Sequence, residues 1–401
     1  MSTAGSPSAG ASGDRVASHR MNVLEAADAF LKRFRSTAVG EPLWVLSLGA
    51  MMAVHLASLV PAFLRPDLID FSAFVDNARA WLAGTPYPET SRDPNTPHLI
   101  LAFVPFVRVP LRVGLAIWTV LTYLSLALTL RAVSRELGLR LSRPLQLTLV
   151  AFALATPPSR DVFVNGNMIW PLALVFTWAW RLARRGRLPA AAAVVGVLAT
   201  MKPFLGMFGV LFLVRRKWRA LGAMAAASLV SIVLAVALTG MNAFTGWLHA
   251  VARINWYDVR FNASVLGFMA RVWSPDPIAW AAVALAIATI SGAILTLRAA
   301  SLSREWLFVF LASLLAAPLG WRYYLCLAIG PLVATLVSVP VRSAATAALC
   351  IVAISPAIAL ATRSPVVLAT VGSIPMWAAL GAWAVLAITR PQTADHLPGA
   401  K

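Results

Sequence analysis

Long apolar blocks alternate along this chain with short polar and basic connections. Leu43–Phe63, Val113–Leu130, Leu221–Leu238 and Ile278–Leu297 each approach the ~20 residues a helix needs to cross ~30 Å of hydrocarbon. In all, about 12 apolar segments can be drawn, at 43–63, 112–133, 145–157, 165–183, 188–201, 203–214, 220–240, 278–299, 304–318, 323–341, 344–362 and 368–389. Segments 145–157, 188–201 and 203–214 fall short of a full span and are expected to kink or reach part-way. The pattern predicts an all-α, polytopic membrane domain over residues 41–390. Residues 1–40 read as a Ser-, Ala-, Gly- and charge-rich tail ending in an amphipathic stretch, Leu24 to Phe34, and 391–401 as a second tail. The first tail lacks the apolar core and small-residue cleavage site of a signal peptide. No internal repeat is visible, which counts against a transporter built from inverted halves.

Composition sharpens this picture. Sixty per cent of the 401 residues are hydrophobic and 12% charged, against roughly 25% charged in soluble domains, so a water-facing globule is excluded. The net charge of +19 does not point to nucleic acid, because the basic residues sit in clusters between apolar blocks, as membrane topology requires. Arg131, Arg135, Arg140 and Arg143 form one cluster; Arg181, Arg184, Arg185 and Arg187 a second; Arg215, Arg216, Lys217 and Arg219 a third; Arg298, Arg304 and Arg342 continue the series. Placing all of them on the cytoplasmic side gives one consistent alternation, with both termini inside. The long loops near 64–111 and 241–277 then fall outside a plasma membrane, and the irregular polar sequence falls outside with them. Cys326 and Cys350 lie within apolar segments and offer no disulfide or metal framework.

Polar and ionisable groups near membrane depth are costly and are functional candidates by default. In the first outer loop Asp67 and Asp70 precede Phe71, Phe74, Val75, Ala78, Trp81 and Leu82, whose helical spacing predicts an amphipathic helix along the membrane surface. Asp70 stands at its start, where a carboxylate can cap free N–H groups or serve as a catalytic group. Asn165-Gly166-Asn167, Lys202-Pro203, Asn262-Ala263-Ser264 and Pro318 to Tyr324 lie at the same level. Lys202 can snorkel to the interface and Arg322 can stack on its aromatic neighbours. His55, alone on an apolar helix, reads as a residue satisfied by a neighbouring helix. Asp67, Asp70 and Asp76 offer three carboxylates without the arrangement of a metal site, so no cofactor is expected and a divalent cation finds no support.

Asp70-Phe71 followed by Gly84-Thr85-Pro86-Tyr87 resembles glycosyltransferase family 87. The similarity continues through Pro97 to Trp118, Gly166-Asn167 where the family often has Gly-Gln, Lys202-Pro203, Asn262-Ala263-Ser264 with Arg271, and Pro318 to Tyr324, spanning about residues 43–340. This resemblance implies the GT-C fold, a polyprenyl-phosphate sugar donor and a cell-envelope glycolipid or polysaccharide acceptor, with membrane lipids but no nucleic acid as partners. Mannose is favoured over arabinofuranose by family frequency. It also implies Asp70 as the general base, with Asp67 as the other candidate, and Lys202, Arg322 and Tyr323 at the donor phosphate. Tyr87, Asn165, Asn167, Asn262, Ser264 and Trp321 fall among the implied substrate-binding positions. The family commonly carries one or two histidines two residues after the tryptophan, whereas Trp321 is followed by Arg322-Tyr323-Tyr324, so any histidine role passes to Arg322 or Tyr323.

The chemistry asks for few groups. A sugar phosphodiester carries its own good leaving group, so one carboxylate to take the acceptor's proton and cations to hold the phosphate suffice for inverting displacement. No phosphate-cradling glycine loop of the nucleotide-binding kind appears, in keeping with a lipid-linked donor. A transporter or flippase of an envelope precursor and a catalytically silent family member are the competing expectations.

Overall fold

The computed structural model describes residues 23–85, 95–253, 257–259, 262–273, 277–297, 300–338 and 364–388. These are predominantly helical, and among them the only pairing of extended backbone is an isolated bridge between Asn262 and Trp321. Helix α1 (Val23–Arg35) coincides with the expected amphipathic stretch. There follow α2 (Gly40–Leu64), α3 (Asp70–Leu82), α4 (His98–Phe103), α5 (Leu111–Glu136), α6 (Arg143–Ala155), α7 (Pro157–Val164), α8 (Ile169–Arg184) and α9 (Leu188–Met201). The second half holds α10 (Phe208–Val214), α11 (Trp218–Thr239), α12 (Met241–Ala252), α13 (Val265–Val272), α14 (Pro277–Leu297), α15 (Leu302–Ala316), α16 (Ile329–Ser338), and a last described helix at Ile374–Ile388.

Five segments are long and apolar enough to cross a membrane: Gly40–Leu64, Leu111–Glu136, Trp218–Thr239, Ala279–Leu297 and Val366–Ile388. A sixth is obtained if α6 and α7, bent by 63° at Thr156-Pro157-Pro158, count as one. The other expected spans come out shorter. Segment 188–201 is a 14-residue helix, 304–318 a 15-residue helix, and 203–214 a 3-10 turn over Pro203–Met207 followed by a 7-residue helix. At 1.5 Å per residue none of these reaches ~30 Å. Segment 344–362 lies outside the described residues, as does most of both tails.

The short helices are apolar because protein surrounds them. Trp306 to Leu315 of α15 are buried on every side of the helix, the pattern of a helix inside a bundle. Helix α9 lies close against α11 through small residues: Ser228 Oγ donates to the Gly196 carbonyl at 2.9 Å, and a Cβ on Gly196 would stand 2.3 Å from the Met224 carbonyl oxygen. Such backbone-to-backbone contact is how helices associate where lipid offers no hydrophobic contrast.

The basic turns gather at one end of the bundle. Glu136 receives Arg181 Nε at 3.0 Å and Arg185 Nη2 at 2.9 Å. Trp180 Nε1 and Arg184 Nη1 reach Ser303 Oγ at 3.1 and 3.4 Å, tying the end of α8 to the start of α15, where Arg215 pairs with Glu305. At the other end Arg112 meets the Leu64 carbonyl, Trp81 Nε1 donates to the Thr239 carbonyl at 3.0 Å, and the polar motifs converge.

Candidate functional site

Helix α7 organises the site. Its last turn closes with the Gly166 N–H donating to the Phe163 carbonyl at 3.2 Å and the Asn167 N–H to the Val162 carbonyl at 2.8 Å. This is the Schellman closure, and it needs a left-handed residue at Gly166, whose φ is +60°. The turn aims Asn167 at Asp70: Asn167 Nδ2 donates to Asp70 Oδ2 at 2.7 Å. The Phe71 N–H, free at the start of α3, donates to the Asn165 carbonyl at 3.0 Å. Below it, the fully buried Phe71 ring packs edge-on against Phe103 and Phe106 at 5.8 and 5.5 Å, which fixes where α3 begins.

Asp70 makes no side-chain cap bond, and Ile69 occupies the cap position, so capping does not describe its carboxylate. Burial raises the Asp70 pKa above the ordinary carboxylate range, while the Asn167 hydrogen bond and the charge of Lys202 pull it back down. Asp70 as a whole residue is half-buried. Asp67 differs. It is 61% exposed and only loosely paired with Arg65 at 3.8 Å. Asp76 pairs with Arg79 at 2.5 Å on the exposed side of α3, so the three carboxylates face separate partners.

Lys202 ends α9, its N–H bonded to the Leu198 carbonyl at 2.8 Å before Pro203 stops the helix. It is buried rather than snorkelling. Its Nζ donates to Asn95 Oδ1 and lies 5.1 Å from the centre of the Tyr324 ring, which stacks on Phe204 at 4.8 Å. Tyr323 is buried with its hydroxyl 3.5 Å from Asn167 Nδ2, and its ring stacks on Trp321 at 6.2 Å. Arg322 does not simply stack on its aromatic neighbours: its Nε and Nη2 reach Asp161 Oδ2 and Oδ1 at 2.6 and 3.0 Å.

Asn262 and Ser264 hold the backbone that carries Trp321. Asn262 Nδ2 donates to the Tyr257 and Pro318 carbonyls, both at 3.0 Å, and Oδ1 accepts from the Ser264 and Gly320 N–H groups at 3.2 and 2.8 Å. Ser264 Oγ caps α13 by accepting from the Gly267 N–H at 2.9 Å. Buried Arg271 donates to Ser373 Oγ and to the Val259 and Asn262 carbonyls, and desolvation lowers its pKa to about 10. Tyr87 lies outside the described residues. His55 Nδ1 contacts the Leu154 carbonyl at 3.1 Å and Nε2 the Tyr123 hydroxyl at 2.5 Å, so neighbouring helices satisfy it.

Asp70, Asn165, Asn167, Arg322 and Tyr323 are thus linked at one end of the bundle by direct contacts and through Asp161, and Lys202, held by Asn95, joins them over the Tyr324 ring. Asp161 and Asn95 escaped the sequence reading. The rule that singles out Lys202, that an ionisable group between apolar blocks is costly, applies equally to Asp161, four residues before Asn165.

An all-helical membrane bundle with a polar, carboxylate-centred site at one end defines the class. The family model described as glycosyltransferase family 87 matches residues 94–320, more than half of the chain, and the chain belongs to that family. The matched span includes Asp161, Asn167 and Lys202; Asp70 and Trp321 to Tyr324 lie beyond it. The chain is also 27% identical over 241 residues to the polyprenol-phosphate-mannose-dependent alpha-(1-2)-phosphatidylinositol pentamannoside mannosyltransferase of Mycolicibacterium smegmatis. That match spans 57% of this chain and 57% of the relative, little over half the length of each. No solved structure matches.

Proposed function

We propose that this glycosyltransferase moves a sugar, mannose in the first instance, from a polyprenyl-phosphate donor onto a cell-envelope glycolipid or polysaccharide, with inversion and with Asp70 as general base. The observation that carries this reading is the placement of Asp70: a carboxylate of raised pKa on a half-buried residue, oriented by Asn167 and within the electrostatic influence of buried Lys202. The name of the mycobacterial relative supports the donor class and a glycolipid acceptor.

In the reaction the acceptor hydroxyl oxygen attacks the anomeric carbon as the bond from that carbon to the phosphate oxygen breaks. The bonding pair leaves with the polyprenyl phosphate, and Asp70 takes the hydroxyl proton. A base works best when its pKa lies nearer the operating pH, and burial moves Asp70 in that direction. Lys202, with Arg322 and Tyr323, meets the growing phosphate charge; a preorganised cation in a dry site stabilises such charge without reorganising. Asn167 Oδ1 is buried and has no hydrogen-bond partner among the described residues, so a sugar hydroxyl arriving beside Asp70 satisfies it. Asn165, Asn262, Ser264 and Trp321 act through the backbone they hold, with exposed Asp67 at the rim.

The same reading makes the apolar segments, about 12 in all, a GT-C-like bundle in the plasma membrane. Both termini then lie with the basic turns in the cytoplasm and the site faces outward, in agreement with the positive-inside rule. The test is sugar transfer in proteoliposomes from polyprenyl-phosphate mannose to a glycolipid extract, comparing the wild type with Asp70→Asn. Transfer that survives unchanged in Asp70→Asn removes Asp70 as the base, and an inactive wild type removes the donor.

A further inference from the structure

Asp161 stands outside every role given above, yet it joins the two halves of the site. Its carboxylate takes the Arg322 guanidinium in a two-pronged pair, and both side chains are largely buried, at 8% exposed for Arg322 and 18% for Asp161. Its backbone carbonyl accepts from Asn165 twice, from the N–H at 3.0 Å and from Nδ2 at 2.9 Å. The Asn165 carbonyl in turn receives the Phe71 N–H that begins the helix bearing Asp70. One residue of an eight-residue helix is thereby bonded, directly or through Asn165, to segments 90 or more positions away on both sides.

The planar fork of arginine fixes direction as well as distance when a carboxylate meets it two-pronged. Arg322 opens the 3-10 turn that carries Tyr323 and Tyr324. Tyr323 touches Asn167, and Tyr324 lies beneath Lys202. The direction of Arg322 therefore sets where both aromatic neighbours stand relative to Asp70. We propose that Asp161 is a positioning residue for sugar transfer, holding the Trp321–Tyr324 turn in register with the end of α7 that orients Asp70. It takes up no proton and touches no substrate. This inference rests on the reading that Asp70 and the 321–324 turn flank the reacting sugar.

The experiment compares Asp161→Asn, Asp161→Glu, Arg322→Gln and the double variant Asp161→Asn/Arg322→Gln with the wild type in reconstituted full-length protein. Transfer from polyprenyl-phosphate mannose is measured alongside hydrogen–deuterium exchange of segments 70–82, 318–328 and 218–239. Misplacing groups at a reacting centre by an ångström costs on the order of 100-fold, and Asp161→Asn is expected to lose kcat on that scale. Asp161→Glu recovers part of the loss, the double variant is no worse than Arg322→Gln alone, and exchange rises in 70–82 and 318–328 but not in 218–239. Wild-type kinetics in Asp161→Asn, or losses that multiply in the double variant, overturn the proposal. Exchange that rises throughout, α11 included, and is not corrected by Asp161→Glu means a stability role and overturns it too. If the wild type transfers nothing from this donor, the donor reading fails separately. The exchange arm then decides alone: a rise confined to 70–82 and 318–328 upholds the proposal, and none overturns it.

Discussion

Asn167 Nδ2 lies 2.7 Å from Asp70 Oδ2, across 97 positions of chain. The contact joins the closing turn of α7 to the first turn of α3. It orients a carboxylate that no cap bond restrains, and it singles out Asp70 from Asp67, which remains 61% exposed beside Arg65. A positioned proton acceptor contributes roughly 10²–10⁴-fold to a rate. Asp70→Asn is expected to lose kcat on that scale while unfolding at the wild-type temperature, because the amide fills the same space. Asp67→Asn should leave transfer unchanged; a loss there equal to that of Asp70→Asn would move the base to Asp67.

The pH dependence follows from the same contact. With Asp70 as the proposed base, transfer needs it ionised, so the rate rises with pH through its pKa and is lost as pH falls below it. Burial raises that pKa, so the acid limb of kcat/KM should lie above the ~3.9 of an unperturbed aspartate. The Asn167 hydrogen bond favours the ionised form. Asn167→Ala should therefore shift the acid limb further upward as well as lower the maximum rate. An acid limb unmoved in Asn167→Ala would show that another group titrates.

Gly166 offers a test of the scaffold. Its φ is +60°, and a Cβ there would stand 2.7 Å from Phe71 Cβ and 3.1 Å from Leu115 Cδ1. A non-glycine residue held in a sparsely populated conformation costs of order 1–3 kcal/mol, and here the clash adds to it. Gly166→Ala is expected to lower the melting temperature and abolish transfer. At Gly186, with φ +76° and nothing within 4 Å of a Cβ, alanine should cost stability only. Melting curves and transfer rates of the two variants, measured side by side, check this.

Lys202 is expected to act on the donor. Hydrogen bonds to charged groups are worth about 1.5–3 kcal/mol, so Lys202→Met should weaken binding of polyprenyl phosphate on the order of 10- to 100-fold. Removing that charge also raises the Asp70 pKa, since Lys202 lowers it. Titrating polyprenyl phosphate against wild type and variant measures the first effect. Equal affinities would place the donor phosphate elsewhere.

Much of the bundle was legible from apolar runs. The stretches that give α2, α5, α11 and α14 are long enough to cross a membrane, and their apolar runs end within a few residues of the helix ends. The count of segments was less secure, for a physical reason. An apolar run reports that a segment avoids water, not whether lipid or protein replaces it, so 14- and 15-residue helices such as α9 and α15 read like spans. In the site, Asp70, Asn167 and Lys202 were visible as polar groups between apolar blocks. Arg322 was visible as a cation, but its tie to Asp161 was not, because 161 positions separate the two.

The sequence by itself determined the membrane class, the basic turns between segments and the family motifs in their order. These are local properties, since a run of apolar residues or a cluster of arginines acts through its immediate solvent. Tertiary structure alone decided that Asp70 meets Asn167, that Asp161 holds Arg322, that Lys202 lies buried over Tyr324, and that Asn262 and Ser264 bond backbone. Each of these depends on which helix ends come together, and that is settled by packing across the whole bundle, from Gly196 against Met224 to Phe71 beneath Gly166.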